Sequence, residues 1–148
     1  DVGQKKLENK LSCEQHVSLI YWDIDSFKNI NDEYGHAGGD EVLIQATKRV
    51  RACLNKEDIF ARIGGEEFVI LIARDSELKA KQFADTLRTT LASKPIEYKQ
   101  QFINVTASFG VIGIKCATIQ IDKAIDLADK ALYIAKHEGK NKVVCNVT

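Results

Sequence analysis

The sequence predicts one α/β (α+β) sandwich, in which helices flank a mixed, mostly antiparallel central sheet with a ferredoxin-like core. Short apolar segments rich in β-branched residues alternate with longer segments of helical periodicity, in the approximate order βααββαβαβ. The chain has 148 residues, of which 45% are apolar and 28% charged, so we expect residues 1–148 to form one globular domain.

The first predicted elements are a short helix and a strand. Leu7 and Leu11 lie four residues apart in a polar segment, which predicts a helix at 1–12. Because the sequence contains no methionine, we interpret it as an excised piece of a longer protein, and this helix as the remnant of a linker from an upstream module. The apolar run at 17–23 then predicts the first strand.

Two helices are predicted after this strand. The first helix begins at a cap supplied by Asp25 or Ser26 and ends at Gly35. The second helix begins after Gly39, with acidic residues at its start and basic residues near its end, as the helix dipole favours. Its predicted buried face consists of Leu43, Ala46, Val50 and Leu54.

The next predicted element is a hairpin. Residues 59–63 and 66–73 form its strands, and Gly64–Gly65 forms a two-residue turn between them. The second strand contains the run FVILI, which is apolar at both parities. We therefore expect this strand to be central and covered on both faces.

Two helices and two strands complete the prediction. The helices cover 76–92 and 121–139, where Gly139 ends the second one, and the strands cover 102–114 and 142–147. The predicted inward-facing residues are Phe83, Leu87 and Leu91 in the first helix, and Ile125, Ala128, Leu132 and Ala135 in the second.

The composition argues against several classes of function. Basic and acidic residues both number 21, so no global positive field favours nucleic acid or a membrane surface. The four cysteines are widely spaced without a metal-binding pattern, which argues against zinc and against a disulfide framework. No apolar run has the length of a membrane span. We expect a cytoplasmic domain that contacts neither nucleic acid nor membrane.

Five acidic residues are candidates for a chemical role. If the first strand and the strand after the glycine turn are neighbours, Asp23 and Glu66 meet at one edge of the sheet. Two carboxylates about 4 Å apart repel by roughly 4 kcal/mol at an effective dielectric near 20, and a divalent cation reverses that sign. Oxygen ligands without histidine or cysteine suit Mg²⁺. The five acids are Asp23, Asp25, Asp40, Glu66 and Glu67.

The alternative is that all five acids are solvated residues at strand ends and helix starts. Spacing alone favours this interpretation for Asp25 and Asp40, and leaves both interpretations open for Asp23 with Glu66. Three lysines are similarly ambiguous. Lys28 could pair with Asp32 on a helix surface, and the cations at the end of the last helix, Lys136 and Lys140, are favoured there by its dipole.

Taken together, these residues resemble the GGDEF family of diguanylate cyclases, in its GGEEF form. Four collinear segments, spanning Tyr21 to about Val143, follow the order and spacing of that family, which makes the resemblance far more specific than GGEEF alone. The usual start of the family pattern is represented only by a possible remnant in DVGQK. The four segments are DIDSFKNINDEYGHAGGDEVL, ARIGGEEFVIL, VTASFGV and ADKALYIAKHEGKNKV.

The resemblance implies a palm-like cyclase core and the condensation of two GTP molecules into cyclic di-GMP, a bacterial second messenger, with release of two pyrophosphates. It implies that Asp23 and Glu66 ligate Mg²⁺, for which Mn²⁺ is a candidate substitute. The Ile24 carbonyl and Glu67 are additional candidate ligands. Glu66 would also help to deprotonate the attacking 3′-hydroxyl group.

The resemblance also implies how GTP binds. Asn31 and Asp40 would form hydrogen bonds with the guanine edge, and Gly65 would let the nucleotide approach the hairpin backbone. The terminal phosphates would be held by Lys28, Lys136, Lys140 and the backbone near Phe27.

Three further expectations follow from the resemblance. Because each domain would hold one GTP, activity would require a homodimer, and the isolated fragment would be a monomer or a weak dimer. The inhibitory product site of the family, RxxD, reads NKED here, with Asn55 in place of arginine and Asp58 retained, so we expect it to be non-functional. The alternative function is a non-catalytic GTP-binding regulatory domain, and any membrane anchor would lie in segments outside this domain.

Overall fold

The computed structural model describes residues 17–74, 76–114 and 121–145, so the helix predicted at 1–12 lies outside the described residues. None of the helices in these three ranges is both long and apolar enough to cross a membrane. The helices are α1 (Phe27–Cys53), α2 (Glu77–Ala92) and α3 (Ile121–His137). The strands are β1 (Val17–Ile24), β2 (Ile59–Arg62), β3 (Glu67–Ala73), β4 (Ile96–Tyr98), β5 (Gln101–Ile103), β6 (Ala107–Ile114) and β7 (Val143–Cys145).

The main sheet has five strands in the order β2-β3-β1-β6-β7. Its central strand, β1, is antiparallel to both β3 and β6, and β2 is antiparallel to β3. Only the pairing of β6 with β7 is parallel among these described strands. The mixed, mostly antiparallel sheet predicted from the sequence is therefore confirmed.

Helices cover both faces of this sheet because alternate side chains of a strand point to opposite sides. On one face, beneath α1 and α2, the buried Trp22 ring stacks on Phe68 and Phe109, with ring centroids 4.6 and 5.8 Å apart. Aromatic pairs of this kind contribute about 0.5–1.5 kcal/mol each beyond the area they bury. On the other face, α3 packs on a second cluster that includes Leu19 and Leu71. Both faces of β3 are buried, as predicted.

The two helices predicted after β1 form one element, α1, that is broken at Gly35. The φ of Gly35 is 79°, a left-handed conformation that glycine adopts without strain. The helix resumes before Gly39, which therefore lies inside it, so the predicted start after Gly39 is wrong. Ser26 occupies the N-cap position, but its side chain makes no capping hydrogen bond. The predicted face is buried at Leu43, Ala46 and Val50.

A small hairpin was missed by the sequence analysis. The strand predicted at 102–114 is divided into β5 and β6, and β5 pairs with β4. The turn between β4 and β5 consists of Lys99 and Gln100, which have φ values of 47° and 65°. Two-residue turns with positive φ favour Asn and Gly, so this pair of residues gives no turn signal.

The β2–β3 hairpin has a longer turn than predicted. β2 ends at Arg62 and β3 begins at Glu67, whose carbonyl accepts hydrogen bonds from the N–H groups of Ile63 and Gly64 at 3.0 and 3.3 Å. The predicted two-residue glycine turn is wrong, because Glu66 also belongs to the turn. Neither glycine has a positive φ. The hairpin tip is formed by Gly64, Gly65 and Glu66.

Candidate active site

Four of the five predicted acidic residues, all except Asp40, lie where β1 ends. In the register between β1 and β3, Asp23 lies directly opposite Glu67. Because side chains alternate along a strand, both carboxylates lie on the sheet face that α3 covers. Glu66, in the hairpin tip, lies close enough to raise the pKa of Asp23 through its charge. The structure thus brings both glutamates to the end of β1, beside Asp23.

A single ammonium group lies among the oxygen atoms at the end of β1. Lys136 extends from the last turn of α3 and contacts the carboxylate of Asp23. Its Nζ also lies 2.8 Å from Asp25 Oδ1 and 3.2 Å from the carbonyl oxygen of Ile24. Oxygen atoms from three consecutive residues therefore converge on one position of positive charge.

Burial dominates the electrostatics of Asp23. Loss of water around the carboxyl group raises the pKa of Asp23 from 3.8 to about 6. The hydrogen bond and charge of Lys136 lower that pKa without cancelling the effect of burial, and the charges of Asp25 and Glu66 raise it further. The carboxylate is ionised at neutral pH but incompletely compensated, which favours the binding of an additional cation.

Asp25 is a buried structural residue, so the prediction that it is solvated is wrong. Its carboxylate accepts hydrogen bonds from the hydroxyls of Thr106 and Ser108, both at 2.7 Å, and from the backbone N–H of Asn141 at 2.9 Å. Although burial alone would raise the pKa of Asp25, the bonds from Lys136, Ser108 and Thr106 hold it below its ordinary value. Asp25 therefore joins the start of α1 to β6 and to the segment after α3. Asp40 is exposed, in agreement with the interpretation that it is a solvated residue.

The predicted phosphate ligands lie at the start of α1 and the end of α3. Lys140 Nζ donates a hydrogen bond to Ser26 Oγ at 2.9 Å, directly before α1. The predicted helix end at Gly139 is confirmed by its φ of 118°. Lys28 is exposed in the first turn of α1 and forms no ion pair with Asp32 in the described part of the chain. The N-terminal N–H groups of a helix, here near Phe27, favour anions.

Asn31, one of the two predicted guanine ligands, lies against Gly39, the residue before the other ligand, Asp40. A Cβ atom on Gly39 would lie 1.8 Å from Asn31 Oδ1, so only glycine leaves room for that side chain beside the second part of α1. Asp40 follows Gly39 and lines a cleft of about 390 Å³ between α1 and the β2–β3 hairpin. The walls of this cleft are formed mainly by Leu43, Ile44, Arg51, Phe60, Arg62 and Phe68.

The hairpin tip is held by an arginine that the sequence analysis did not single out. Arg62 Nε donates to the carbonyl of Gly64 at 3.0 Å, and its terminal nitrogen donates to the carbonyl of Gly65. A Cβ atom on Gly65 would meet nothing within 4 Å, so this residue faces open space. This contact could have been predicted from the sequence, because Arg62 lies two residues before Gly64–Gly65. Glycines have no side chain and so leave their backbone carbonyl groups accessible.

The Asn55–Asp58 turn satisfies its own polar groups. Asn55 Oδ1 accepts from the backbone N–H groups of Glu57 and Asp58, at 2.9 and 3.0 Å. Both terminal nitrogens of Arg74 donate to the two oxygens of Asp58, each at 3.0 Å. The Arg74 guanidinium also lies 4.6 Å from the ring centre of Phe83. The aspartate retained from the RxxD pattern is therefore fully engaged inside the domain.

The donor set at the end of β1 fits a hard divalent cation. It consists of carboxylate and carbonyl oxygens, which Mg²⁺ prefers, and the Lys136 ammonium group marks where they converge. Within residues 17–74, 76–114 and 121–145, no three acidic, histidine or cysteine side chains are placed to hold an ion by themselves.

Comparison with protein families matches residues 3–142 to the model described as diguanylate cyclase, GGDEF domain. The chain is 40% identical over 130 residues to diguanylate cyclase A of Treponema denticola, covering 88% of this chain and 35% of that protein. It is also 40% identical over 134 residues to diguanylate cyclase DgcM of Escherichia coli K12, covering 90% of this chain and 32% of that protein. The chain thus spans about one third of the length of these relatives.

Solved structures show the same fold. The active GGEEF domain of a diguanylate cyclase from Vibrio cholerae superposes with a TM-score of 0.85 at 28% identity, covering 99% of this chain and 93% of that one. The GGDEF domain of DgcB from Caulobacter crescentus, in complex with c-di-GMP, gives a TM-score of 0.87 at 25% identity, covering 98% of this chain and 86% of that one.

Proposed function

The chain belongs to the GGDEF family of diguanylate cyclases, and on that premise we propose that it condenses two GTP molecules into cyclic di-GMP and two pyrophosphates. The observation that carries the proposal is the convergence of oxygens from Asp23, Ile24 and Asp25 on one cationic group beside the GGEEF hairpin tip. A nucleotidyltransferase needs concentrated positive charge at this place, because charge moves onto the phosphates during the reaction.

Asp23 and Glu66 are proposed to hold Mg²⁺, with Mn²⁺ as a substitute and with the Ile24 carbonyl and Glu67 as additional ligands. When bound, the ion would neutralise phosphate charge and favour ionisation of the attacking hydroxyl. The family relationship supports dependence on a divalent metal in general, and the oxygen-only donor set supports Mg²⁺ in particular.

The remaining residues bind and orient GTP. Asp40 would accept hydrogen bonds from the ring N–H and amino group of guanine, which adenine does not present in that arrangement, and Asn31 would bind beside it. Gly65 would let the nucleotide lie against the hairpin backbone, where space is open. The triphosphate would be held by Lys28, Lys136, Lys140 and the backbone N–H near Phe27.

Glu66 is proposed to accept the proton of the attacking 3′-hydroxyl. The 3′-oxygen of one GTP forms a bond to the α-phosphorus of the other, and the bond from that phosphorus to pyrophosphate breaks. The same exchange occurs a second time with the roles of the two nucleotides reversed, which closes the ring. Lys136 and Lys140 would stabilise the charge on the leaving pyrophosphate.

Two copies of the domain are required by this reaction, because one site holds one GTP. The two sites would face each other with antiparallel nucleotides. We propose that the isolated chain is a monomer or weak dimer of low activity in the cytoplasm, and that tethering two copies raises the rate through effective concentration. Any membrane attachment of a longer protein would then come from other segments.

The experiment uses two copies of the chain joined by a flexible linker and incubated with GTP, ATP and Mg²⁺. Mass spectrometry of the products is expected to show cyclic di-GMP. Bound GTP without product would instead indicate a non-catalytic regulatory domain, and a mixed guanine–adenine dinucleotide would overturn the proposed specificity of Asp40.

A further inference from the structure

Tyr21 is a buried tyrosine whose hydroxyl group reaches the hairpin. It lies on β1 two residues before Asp23 and is 7% exposed. Its hydroxyl donates a hydrogen bond of 2.7 Å to Glu67 Oε2. Because alternate residues of a strand share a face, Tyr21 lies on the same side of the sheet as Asp23 and Glu67. The bond therefore joins the central strand to the second glutamate of GGEEF.

Glu67 holds the hairpin tip with both its backbone and its side chain. Its carbonyl accepts the hydrogen bonds from Ile63 and Gly64 that close the turn. Its carboxylate lies against Gly64, where an added Cβ atom would come within 3.1 Å of Oε2. The orientation of this side chain and the shape of the tip are therefore coupled, and Tyr21 fixes the far end of the side chain.

The surroundings of Glu67 are acidic. Burial and the charge of Glu67 raise the pKa of Asp129, on the facing surface of α3. A tyrosine hydroxyl is neutral and donates hydrogen bonds at pH 7, and here it donates to Glu67 Oε2. A neutral donor occupies one carboxylate oxygen without cancelling the charge.

We propose that Tyr21 is a positioning residue, which holds Glu67 in one orientation beside Asp23 so that its carboxylate can take part in binding a divalent cation with GTP. Tyr21 itself touches neither ion nor nucleotide. Partners that orient metal ligands typically change metal affinity about 10–100-fold when they are removed. This inference rests on the proposed function, since it assumes that the end of β1 binds a metal–nucleotide complex.

The test measures Mn²⁺ binding by electron paramagnetic resonance, in the presence of a GTP analogue with a non-cleavable α,β-methylene bridge. Tyr21→Phe removes only the hydroxyl and is expected to raise the Mn²⁺ dissociation constant about tenfold. The matched control, Tyr98→Phe, removes the hydroxyl of a tyrosine in β4 and should leave that constant unchanged. Melting followed by the fluorescence of Trp22, the single tryptophan of the sequence, confirms that each variant folds.

A double variant separates positioning from general destabilisation. If Tyr21 acts through Glu67, adding Tyr21→Phe to Glu67→Gln should change Mn²⁺ affinity less than twofold relative to Glu67→Gln alone. An equal tenfold loss in both backgrounds would overturn the proposal. So would wild-type Mn²⁺ affinity in Tyr21→Phe.

Glu67→Asp provides a second variant in case Tyr21→Phe does not fold. It retains the charge but shortens the side chain by one methylene, which takes the carboxylate out of reach of Tyr21. A similar loss of Mn²⁺ affinity is expected, and unchanged affinity would contradict the role of Tyr21. Absence of Mn²⁺–nucleotide binding in the wild-type chain would overturn the proposed function itself, which distinguishes the two failures.

Discussion

Two aspartates of this domain face basic side chains in contrasting ways. Asp23, at the end of β1, shares the ammonium group of Lys136 with Asp25 and the Ile24 carbonyl. Asp58, in the turn before the hairpin, receives both terminal nitrogens of Arg74 at 3.0 Å, and its side chain is only 2% exposed. The Asp23 carboxylate shares one ammonium group with other oxygens, whereas both oxygens of Asp58 accept hydrogen bonds from one planar guanidinium group.

The two geometries differ in whether the carboxylate can bind a further cation. Ammonium groups are compact charges on flexible stems, while guanidinium groups match a carboxylate in a fixed two-bond geometry. Even with Lys136 present, burial raises the pKa of Asp23 to about 6, so its charge is incompletely compensated. The end of β1 therefore favours a further cation, whereas the turn at Asp58 is already complete.

A substitution in the hairpin tip should reduce activity most strongly. Glu66→Gln should reduce cyclic di-GMP formation by the tethered dimer at least about 1,000-fold, because it removes a proposed metal ligand and proton acceptor together. Product formation is followed by liquid chromatography. The matched control is Glu97→Gln, which changes an exposed glutamate in β4 and should retain full activity. A Glu66→Gln enzyme as active as its parent would refute the role of Glu66.

The next effect concerns the stability of the Asp58 turn. Arg74→Ala should lower the free energy of unfolding by about 3 kcal/mol, because it leaves the buried Asp58 carboxylate without its partner. Urea unfolding measures the change. Arg88→Ala is the control: Arg88 pairs with the exposed Asp85 and donates to Asn141 Oδ1 at 3.2 Å, so its removal leaves no buried charge unpaired and should cost less, about 1 kcal/mol.

The pair of Arg74 and Asp58 also affects inhibition by the product, cyclic di-GMP. With Asn55 in place of arginine and Arg74 on Asp58, we expect no inhibition of the wild-type enzyme through this turn. Calorimetry showing submicromolar binding of cyclic di-GMP, lost in Asp58→Ala, would disprove that expectation.

Removal of the Asp23 charge should stabilise the domain at neutral pH, whereas removal of Arg74 should destabilise it. Its folded-state pKa of about 6 lies above the ordinary 3.8, so the folded state binds the proton more tightly and stability falls as pH rises from 4 to 6. Asp23→Asn should therefore stabilise the domain at pH 7.5 without divalent ions, by at most about 3 kcal/mol, and this gain should vanish near pH 4. Urea unfolding at both pH values, in the presence of a chelator, tests the sign. A destabilised Asp23→Asn protein at pH 7.5 would contradict it.

A substitution at Lys140, a proposed ligand of the terminal phosphates, should change the kinetics only slightly. Lys140→Arg replaces a point charge with a planar fork at a proposed phosphate ligand, and should lower the KM for GTP by a factor of about two to five with kcat nearly unchanged. Steady-state kinetics of the tethered dimer provide the measurement. Lys142→Arg changes a nearby half-buried lysine that donates to the carbonyl of Glu138; it serves as the control and should leave KM unchanged.

Much of the fold could be predicted from local patterns. The strand at 17–23, the doubly buried β3 and the end of α3 at Gly139 follow from apolar periodicity and glycine. The β4–β5 hairpin could not be predicted in this way, because its strands are three residues long and its turn residues, Lys99 and Gln100, are not typical of turns.

The sequence predicted the parts of the site whose residues lie close together along the chain. It did not predict contacts between residues that are far apart in the sequence. Asp25 gives no local sign that Thr106 and Ser108 will bury it. Similarly, the bond between Tyr21 and Glu67 joins positions 46 residues apart. Such pairs depend on the register of the sheet, which short-range patterns do not determine.

Calorimetric titration of the folded chain with the α,β-methylene GTP analogue, first with Mg²⁺ and then with a chelator, measures directly whether nucleotide binding depends on the metal. Binding that requires Mg²⁺, and that loses this requirement together with most of its affinity in Asp23→Asn, is the result expected if the end of β1 holds a metal–nucleotide complex. A well-folded wild-type chain that takes up no nucleotide in the presence of Mg²⁺ would contradict it.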